Sequence, residues 1–134
     1  MDDSSPPLRV LVVDDSRVIR ELIAVNLAHE GFEVTTAADG QAAVDLATEL
    51  HPDVVTLDVM MPRLNGFEAV QRLRQDPRTA TIPVVMVTGR AQSADLDRGR
   101  EVGVEAYLTK PFEPTDLVEV VTRLAREARG RSAP

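Results

Sequence analysis

The sequence predicts a single α/β domain in which five short parallel strands alternate with five helices. The first observation is a set of five apolar runs, at 8–13, 33–37, 54–57, 82–87 and 104–109. The second is that a helical pattern, with apolar residues three and four positions apart, follows each run. The third is that the first, third and fourth runs consist almost wholly of Val, Leu and Ile, which is typical of strands covered on both faces. Together these observations favour a parallel sheet with helices on both of its faces.

The predicted helices have recognisable ends. Ser16 and Asp39 are N-cap candidates for the first and second helices, and Asn65–Gly66 leads into the third. The fourth helix, at about 92–102, is poor in large apolar residues, so we expect it to be weakly anchored. The fifth helix is expected at about 114–128.

Composition excludes several classes of protein. A hydrophobic fraction of 43% in 134 residues suits one folded domain. A net charge of −7 argues against direct nucleic-acid binding by this domain. The chain has no cysteine, which excludes disulfides and zinc fingers, and its early apolar run is too short for a membrane span or a signal sequence. We therefore expect a cytoplasmic protein with no membrane partner.

The expected domain spans residues 8–128. Residues 1–7 read as a flexible N-terminal tail, and residues 129–134 as a C-terminal tail or a severed linker to an output domain. With right-handed crossovers between the strands, we predict the flavodoxin-like strand order 2-1-3-4-5. Strands one and three then become neighbours at the point where such folds bind ligands, beyond the carboxyl ends of the strands.

Polar side chains lie at the carboxyl ends of four of the five predicted strands, and these ends form one edge of the sheet. Asp14 and Asp15 follow the first strand, Asp58 the third, Thr88 the fourth and Lys110 the fifth. Taken singly, each has a plain structural explanation: an acid or a threonine caps a helix or makes a turn, and a lysine is a solvated charge. Taken together, three carboxylates crowded against apolar strands require a neutralising cation.

The residue types at this edge indicate phosphoryl chemistry. Three carboxylates without a histidine favour Mg²⁺, with Mn²⁺ as the alternative ion. A lysine and a hydroxyl group are suited to neutralising and positioning a phosphoryl group. Because no serine or cysteine nucleophile stands at the edge, a carboxylate is the candidate acceptor.

The motifs at the strand ends resemble the response-regulator receiver domains of two-component signalling, the CheY-like superfamily. The matching stretches are 12–16, 57–62 with Asn65–Gly66, 87–89 and 107–112. They occur in the family's order, and the similarity covers about residues 8–128. The family is itself a known example of the predicted strand order.

The resemblance implies a role for each residue of the edge. Asp58 resembles the phosphoacceptor. Asp14 and Asp15 resemble the acidic pair that holds Mg²⁺ together with Asp58, and the backbone carbonyl of Met60 resembles the remaining protein ligand. Thr88 resembles the hydroxyl-bearing residue that moves to the phosphoryl oxygen.

The resemblance also implies a switch and a lifetime for the phosphorylated state. Lys110 resembles the residue that pairs with the phosphoryl group, and the Lys110–Pro111 peptide bond is expected to be cis. Tyr107 resembles the aromatic switch, turned outward in the inactive state and inward in the active state. Met60 and Arg90, two residues after the acceptor and the hydroxyl, are expected to tune dephosphorylation. Because neither side chain positions a water well, we expect slow loss of the phosphoryl group.

The implied function is signalling rather than enzymatic turnover, although the domain would assist its own phosphotransfer and autodephosphorylation. The phosphoryl group would come from a sensor histidine kinase or a histidine phosphotransfer protein. The signal would leave through the fourth helix, fifth strand and fifth helix to a partner protein or an output domain. Glu105 keeps one acid of the winged-helix branch's dimer surface, but Ala106 and Val120 replace charged residues. We therefore predict a monomer or weak dimer, with Val118 or Val120 exposed for apolar contact with a partner.

Three other functions fit the sequence less well. A haloacid-dehalogenase-type phosphatase requires Asp-x-Asp after the first strand, where this chain has adjacent acids and no room for a cap domain. A flavin or nucleotide carrier requires a glycine- or hydroxyl-rich loop there. A pseudo-receiver that works without phosphorylation usually lacks the acids or the lysine, and this chain keeps both.

Overall fold

A computed structural model describes residues 6–132 of the chain. Most of the predicted N-terminal tail, residues 1–5, and the last two residues, 133 and 134, lie outside the described residues. No helix within the described range is long and apolar enough to cross a lipid bilayer.

Strands and helices alternate along the described chain, as predicted. The elements are β1 (Arg9–Val13), α1 (Arg17–His29), β2 (Glu33–Ala37), α2 (Gly40–Leu50), β3 (Val54–Leu57), α3 (Gly66–Gln75), β4 (Val84–Thr88), α4 (Ser93–Val102), β5 (Ala106–Thr109) and α5 (Pro114–Ser132). The strands form one parallel sheet in the order β2-β1-β3-β4-β5. The predicted flavodoxin-like topology is therefore confirmed.

The three central strands are covered on both faces, which explains their nearly continuous apolar sequences. The residues of β3 and β4 are all buried, and in β1 only Arg9 is partly exposed. Successive side chains point to opposite faces and so feed two separate cores. Leu11, Leu57 and Met86 pack under α2 and α3, whereas Val12, Val54 and Val85 pack under α1 and α5.

Side-chain caps are present at the starts of three helices: the two predicted caps, Ser16 and Asp39, and also Asn65. The side chains of Ser16, Asp39 and Asn65 each accept a hydrogen bond from a backbone N–H in the first turn of the helix that follows. Helix α4 is instead preceded by Gln92, and it contributes little apolar surface to the core. Its buried residues are Asp95, Gly99 and Val102, which agrees with the expected weak anchoring.

Helix α5 is longer than the sequence predicted, because residues 129–132 are helical rather than a tail. The Arg129 guanidinium donates to both carboxylate oxygens of Asp53, at 2.7 and 3.0 Å. It also donates to the carbonyls of Pro6 and Pro7, at 3.1 and 3.0 Å. These four hydrogen bonds hold the last turns of α5 against the chain entering β1 and β3. Apolar periodicity could not reveal them, since the anchoring contacts are polar.

The two valines of α5 that were expected to be exposed are half-buried, which corrects the prediction. Val118 lines a groove between α1 and α5 together with Asn26 and His29. Val120 packs against the core on the same side of the sheet. The prediction was wrong because α5 packs against α1 as well as against the sheet, so more of its circumference is covered than a single core stripe suggests.

Arg74, near the end of α3, fastens the amino-terminal edge of the sheet. Its guanidinium donates to the carbonyls of Ala80 and Ile82, at 3.1 and 2.6 Å. It also donates twice to the carbonyl of Gly103, at 2.7 and 3.2 Å, and once to the carboxylate of Glu105, at 2.9 Å. One arginine therefore joins α3 to the segments that enter β4 and β5.

Thr56 should be a site where a polar-to-apolar change stabilises the fold. Its hydroxyl is the one buried side-chain polar atom, among residues 6–132, that lacks a hydrogen-bond partner. Thr56→Val keeps the shape and removes the desolvated hydroxyl, so we expect the free energy of unfolding to rise by about 1 kcal/mol in urea denaturation. Thr79→Val is the matched control: that hydroxyl is equally buried but donates to the Leu73 carbonyl at 2.7 Å, so the change should destabilise. A loss of stability in both variants would contradict the expectation.

Candidate functional site

The three predicted acids meet at the carboxyl edge of the sheet because β1 and β3 are neighbours. Val13 pairs with Leu57, which places the following residues, Asp14 and Asp58, side by side. Carboxylate oxygens of Asp14, Asp15 and Asp58 lie within 4.8 Å of one another. Asp14 is 1% exposed and Asp58 5%, whereas Asp15 is exposed to solvent. Two of the three negative charges are therefore held away from water.

Lys110, which follows β5, joins the two buried acids. Its Nζ lies 2.8 Å from Asp14 Oδ2 and 2.8 Å from Asp58 Oδ2. The remaining oxygen of Asp14 accepts from the Ser16 N–H at 2.9 Å, and that of Asp58 from the Met60 N–H at 3.3 Å. The Lys110–Pro111 peptide bond is cis. Each buried carboxylate thus has both an ionic and a backbone partner.

The cluster is short of positive charge. Burial raises the pKa of Asp14, even though the hydrogen bond from Lys110 opposes the shift. Burial alone would lower the pKa of Lys110, but its hydrogen bonds to Asp14 and Asp58 outweigh that effect and raise it. Both shifts favour retention of a proton: burial disfavours the charged carboxylate of Asp14, and the two acids favour the charged ammonium group of Lys110. The all-oxygen donor set and the missing charge of two fit a hard divalent cation such as Mg²⁺.

Thr88 lies beside the acids, as do Met60 and Arg90, the two residues predicted to tune dephosphorylation. Thr88 ends β4, is fully buried, and accepts a hydrogen bond from the Arg90 N–H at 3.3 Å. It does not cap α4, a role that Gln92 takes. The Arg90 guanidinium lies 3.6 Å from Met60 Sδ, and the Met60 side chain is 57% exposed. Residues 30 positions apart in sequence therefore meet at the rim of the site.

Tyr107 connects β5 to the loop between β4 and α4. Its hydroxyl donates to the Arg90 carbonyl at 2.5 Å, and its half-buried ring packs against the core on the α2–α3 side. A Cβ at Gly99 would lie 3.1 Å from the ring, so the glycine permits close contact with α4. Burial raises the pKa of the Tyr107 hydroxyl, and the charge of Asp95 adds to the shift. The ring occupies a position against α4 rather than in open solvent.

Sequence reasoning missed two structural roles at the site. Gly66 was noted only as part of a motif, but a Cβ there would lie 2.3 Å from the Asp58 carbonyl oxygen. Only glycine allows α3 to begin directly against the acid-bearing loop. The second is Asp95, a buried acid in the first turn of α4 that pairs with Arg90. Its signal was the spacing from Gln92, a capping-box pattern that the structure contains.

Comparison with known proteins identifies the family. The model of the response regulator receiver domain matches residues 10–122. The chain belongs to this family. It is a receiver domain of two-component response regulators, a signalling domain rather than an enzyme of the usual kind.

Known receiver-containing proteins resemble the chain along most of its length. The DNA-binding dual master transcriptional regulator RpaA of Synechocystis is 42% identical over 118 residues, covering 88% of this chain and 49% of RpaA. The structure of Vibrio cholerae CheY4 has a TM-score of 0.84 and 36% identity, and the match covers 89% of this chain and 99% of CheY4. The receiver domain of Pseudomonas aeruginosa sensor kinase PA1611, with a magnesium ion in its active-site cleft, has a TM-score of 0.84 and 28% identity over 90% of this chain and 99% of that one. This receiver domain therefore spans about half the length of RpaA.

The net negative charge of the cluster predicts that two substitutions have opposite effects on stability. The measurements are made in EDTA, so that no metal ion is bound. Lys110→Met leaves the buried carboxylates of Asp14 and Asp58 without their cation. It should lower the free energy of unfolding by about 2 kcal/mol, less than for a fully buried pair because the Lys110 side chain is 21% exposed. Asp15→Asn relieves repulsion and should raise the melting temperature slightly.

The control is Asp45→Asn, which changes an exposed acid on α2. Thermal melts of the four proteins decide the outcome. Destabilisation by Asp15→Asn beyond that of the control would show that like-charge repulsion does not govern the metal-free site.

Proposed function

We propose that this receiver domain accepts a phosphoryl group on Asp58 from a sensor histidine kinase or a histidine phosphotransfer protein. The observation that carries the proposal is the contact of Lys110 Nζ with both buried carboxylates, at 2.8 Å each, inside a cluster of three acids. A buried nucleophilic carboxylate beside a fixed cation is poised for attack on phosphorus.

Phosphoryl transfer exchanges one bond to phosphorus for another. A carboxylate oxygen of Asp58 forms a bond to phosphorus while the donor's P–N bond breaks, and the histidine nitrogen keeps the electron pair. With acetyl phosphate as donor, a P–O bond breaks instead and acetate leaves. Lys110 remains at the Asp58 carboxylate to pair with a phosphoryl oxygen, and the Thr88 hydroxyl can donate to another. The product is an aspartyl phosphate.

The same acids are suited to hold the divalent ion. Asp14, Asp15 and Asp58, with the backbone carbonyl of Met60, would bind Mg²⁺, or Mn²⁺ through the same oxygen ligands. When bound, the ion supplies positive charge to the oxygens of the incoming phosphoryl group. Support comes from the charge deficit of the cluster and from the magnesium ion in the PA1611 receiver domain.

Phosphorylation should depend on both Asp58 and the metal ion. Incubation with acetyl phosphate and Mg²⁺ should add one phosphoryl group, which intact-mass spectrometry detects. The adduct should disappear in Asp58→Asn and in EDTA, but persist in Asp45→Asn, the surface control. An adduct of undiminished amount in Asp58→Asn would refute the assignment of the acceptor. A wild-type protein that never acquires one would favour a pseudo-receiver that works without phosphorylation.

The two side chains at the rim of the site, Met60 and Arg90, should make loss of the phosphoryl group slow. Hydrolysis requires a water in line with the Asp58–phosphorus bond, and Met60 and Arg90 lie together at the rim. Methionine forms no strong hydrogen bond to water, and arginine accepts no proton. Met60→Asn supplies a polar group there and should accelerate dephosphorylation several-fold in a mass-spectrometric time course. Met60→Leu is the control and should leave the rate nearly unchanged. A half-life of seconds in the wild type would contradict this account.

We also propose that the signal leaves through α4, β5 and α5. Tyr107 lies on β5, contacts α4, and donates to the loop that follows Thr88, so a shift of Thr88 can reach α4 and β5. Helix α5 shares a core with the other face of β5, where Ala106 and Leu108 pack. The Glu105 carboxylate is held within the same chain by Arg74, and Ala106 and Val120 carry no charge. This face therefore lacks the charged set of a tight dimer, which favours a monomer or weak dimer. The recipient is a partner protein or an output domain, and RpaA is DNA-binding by name.

Activation should therefore perturb this face without producing a tight dimer. Beryllofluoride with Mg²⁺ should shift backbone amide resonances of Tyr107 and of residues 91–124 in NMR spectra. Sedimentation of the same sample at about 10 μM should show mainly monomer, since the face lacks paired charges. Shifts confined to the acids and Lys110 would mean that the switch does not operate here. A tight activated dimer would refute the partner proposal alone.

A further inference from the structure

Arg90 is a cation with a buried counterion outside the acidic cluster. Its guanidinium lies 2.8 Å from Asp95 Oδ1, and the Asp95 side chain is 10% exposed. The second Asp95 oxygen accepts a hydrogen bond from the Gln92 N–H at 3.3 Å. Among the residues that the structure describes, Asp95 is the one buried acid that does not belong to the three-carboxylate cluster. Among the described residues, Arg90 is the cation that pairs with this charge.

The same guanidinium reaches the rim of the site. It lies 3.6 Å from the sulfur of Met60, whose own N–H donates to Asp58. The backbone N–H of Arg90 donates to the Thr88 hydroxyl, and its carbonyl accepts from Tyr107. Arg90 thus contacts residues of the β3–α3 loop, β4, α4 and β5. Its side chain is half exposed, so the protein does not enclose it on all sides.

A phosphoryl group on Asp58 would be a stronger partner for this arginine than Asp95 is. Phosphorylation adds close to two negative charges and three strong acceptor oxygens to a cluster that already lacks positive charge. Guanidinium groups match phosphoryl oxygens in geometry and form paired hydrogen bonds with them. Asp95 offers a single charge, and one of its two oxygens already accepts a hydrogen bond from the Gln92 N–H.

We propose that phosphorylation of Asp58 transfers Arg90 from Asp95 to the phosphoryl group, so that Asp95 acts as a positioning residue that competes for this arginine. The proposal rests on the proposed phosphorylation of Asp58. It makes the first turn of α4 respond directly to the site, because the transfer leaves a buried carboxylate at Asp95 without its cation. This path is additional to the one through Thr88 and Tyr107.

If Asp95 and the phosphoryl group compete for Arg90, substitution of Asp95 should change the affinity for a phosphoryl analogue in a definite direction. By linkage, weakening the Arg90–Asp95 pair must strengthen whatever Arg90 binds in the phosphorylated state. Asp95→Asn should therefore raise the affinity for beryllofluoride, with Mg²⁺ present, about threefold, since partly exposed ion pairs are of that strength. Arg90→Gln should lower the affinity by a similar factor. In the Arg90→Gln background, Asp95→Asn should have no effect, because the shared cation is gone.

NMR titration of beryllofluoride into the Mg²⁺-loaded protein supplies these affinities. The matched control is Asp97→Asn, which removes an exposed acid from the same helix, one paired at 2.7 Å with Arg100. It should leave beryllofluoride affinity unchanged. Amide hydrogen exchange adds a readout in the unmodified protein: residues 93–96 should exchange faster once beryllofluoride is bound.

The outcomes separate this proposal from the phosphorylation on which it rests. If the wild type binds no beryllofluoride, the proposed function itself fails and the competition falls with it. If the wild type binds but Asp95→Asn weakens binding or leaves it unchanged, phosphorylation stands and the competition is overturned. An equal gain from Asp95→Asn in the Arg90→Gln background would also overturn it, because the effect would then be a general one of charge. Loss of folding in Asp95→Asn would leave Arg90→Gln and the exchange measurement to decide.

Discussion

The rest of this structure depends on the pairing of one ammonium group with two buried carboxylates. Lys110 makes it tolerable for Asp14 and Asp58 to lie beneath the surface at the ends of adjacent strands. Without it, two negative charges would be desolvated side by side. The three residues come from the ends of β1, β3 and β5 and are far apart in the sequence. Only the parallel sheet in its observed order brings them together.

The pairing also leaves part of the negative charge unbalanced. This is expected of a site that binds ligands rather than of an ion pair that only stabilises the fold. A cluster with balanced charges would exert little electrostatic attraction on a further ion. Here one lysine faces three acids, so the cluster carries a net negative charge. Under the proposed function, a bound cation would stabilise such a site and would offset the repulsion between the acids and the phosphoryl oxygens.

Much of the fold was predictable because its signals are local and repeated. Buried central strands produce unbroken apolar runs, and the caps at Ser16, Asp39 and Asn65 mark where helices begin. The acids were predictable for a different reason: residues at the carboxyl ends of parallel strands must converge whatever their spacing in the sequence. Backbone topology alone therefore placed Asp14 beside Asp58.

The ion pairs made by long arginine side chains could not be predicted in this way. The pairs of Arg129 with Asp53 and of Arg90 with Asp95 leave no periodic trace, because a flexible side chain can reach many partners from a given backbone position. The length of α5 was misjudged for that reason. Burial of Val118 was missed because the groove between α1 and α5 depends on how two helices lean together, which no single helix pattern contains.

The contacts of Arg74 decide how α4 is able to move. The carbonyl of Gly103, the C-cap of α4, accepts hydrogen bonds from two N–H groups of that arginine, whereas residues 89–92 before the helix and the first two residues of the helix are exposed. A rod fixed at one end swings about it, so displacement grows with distance from the pivot. At 1.5 Å per residue, this ten-residue helix is roughly 15 Å long, and a tilt of about 5° moves its far end by roughly 1.3 Å. The end that swings is the one beside the acids, and the pivot lies at the opposite edge of the sheet. A small displacement at the carboxyl edge would therefore tilt α4 about Gly103 rather than shift the whole helix.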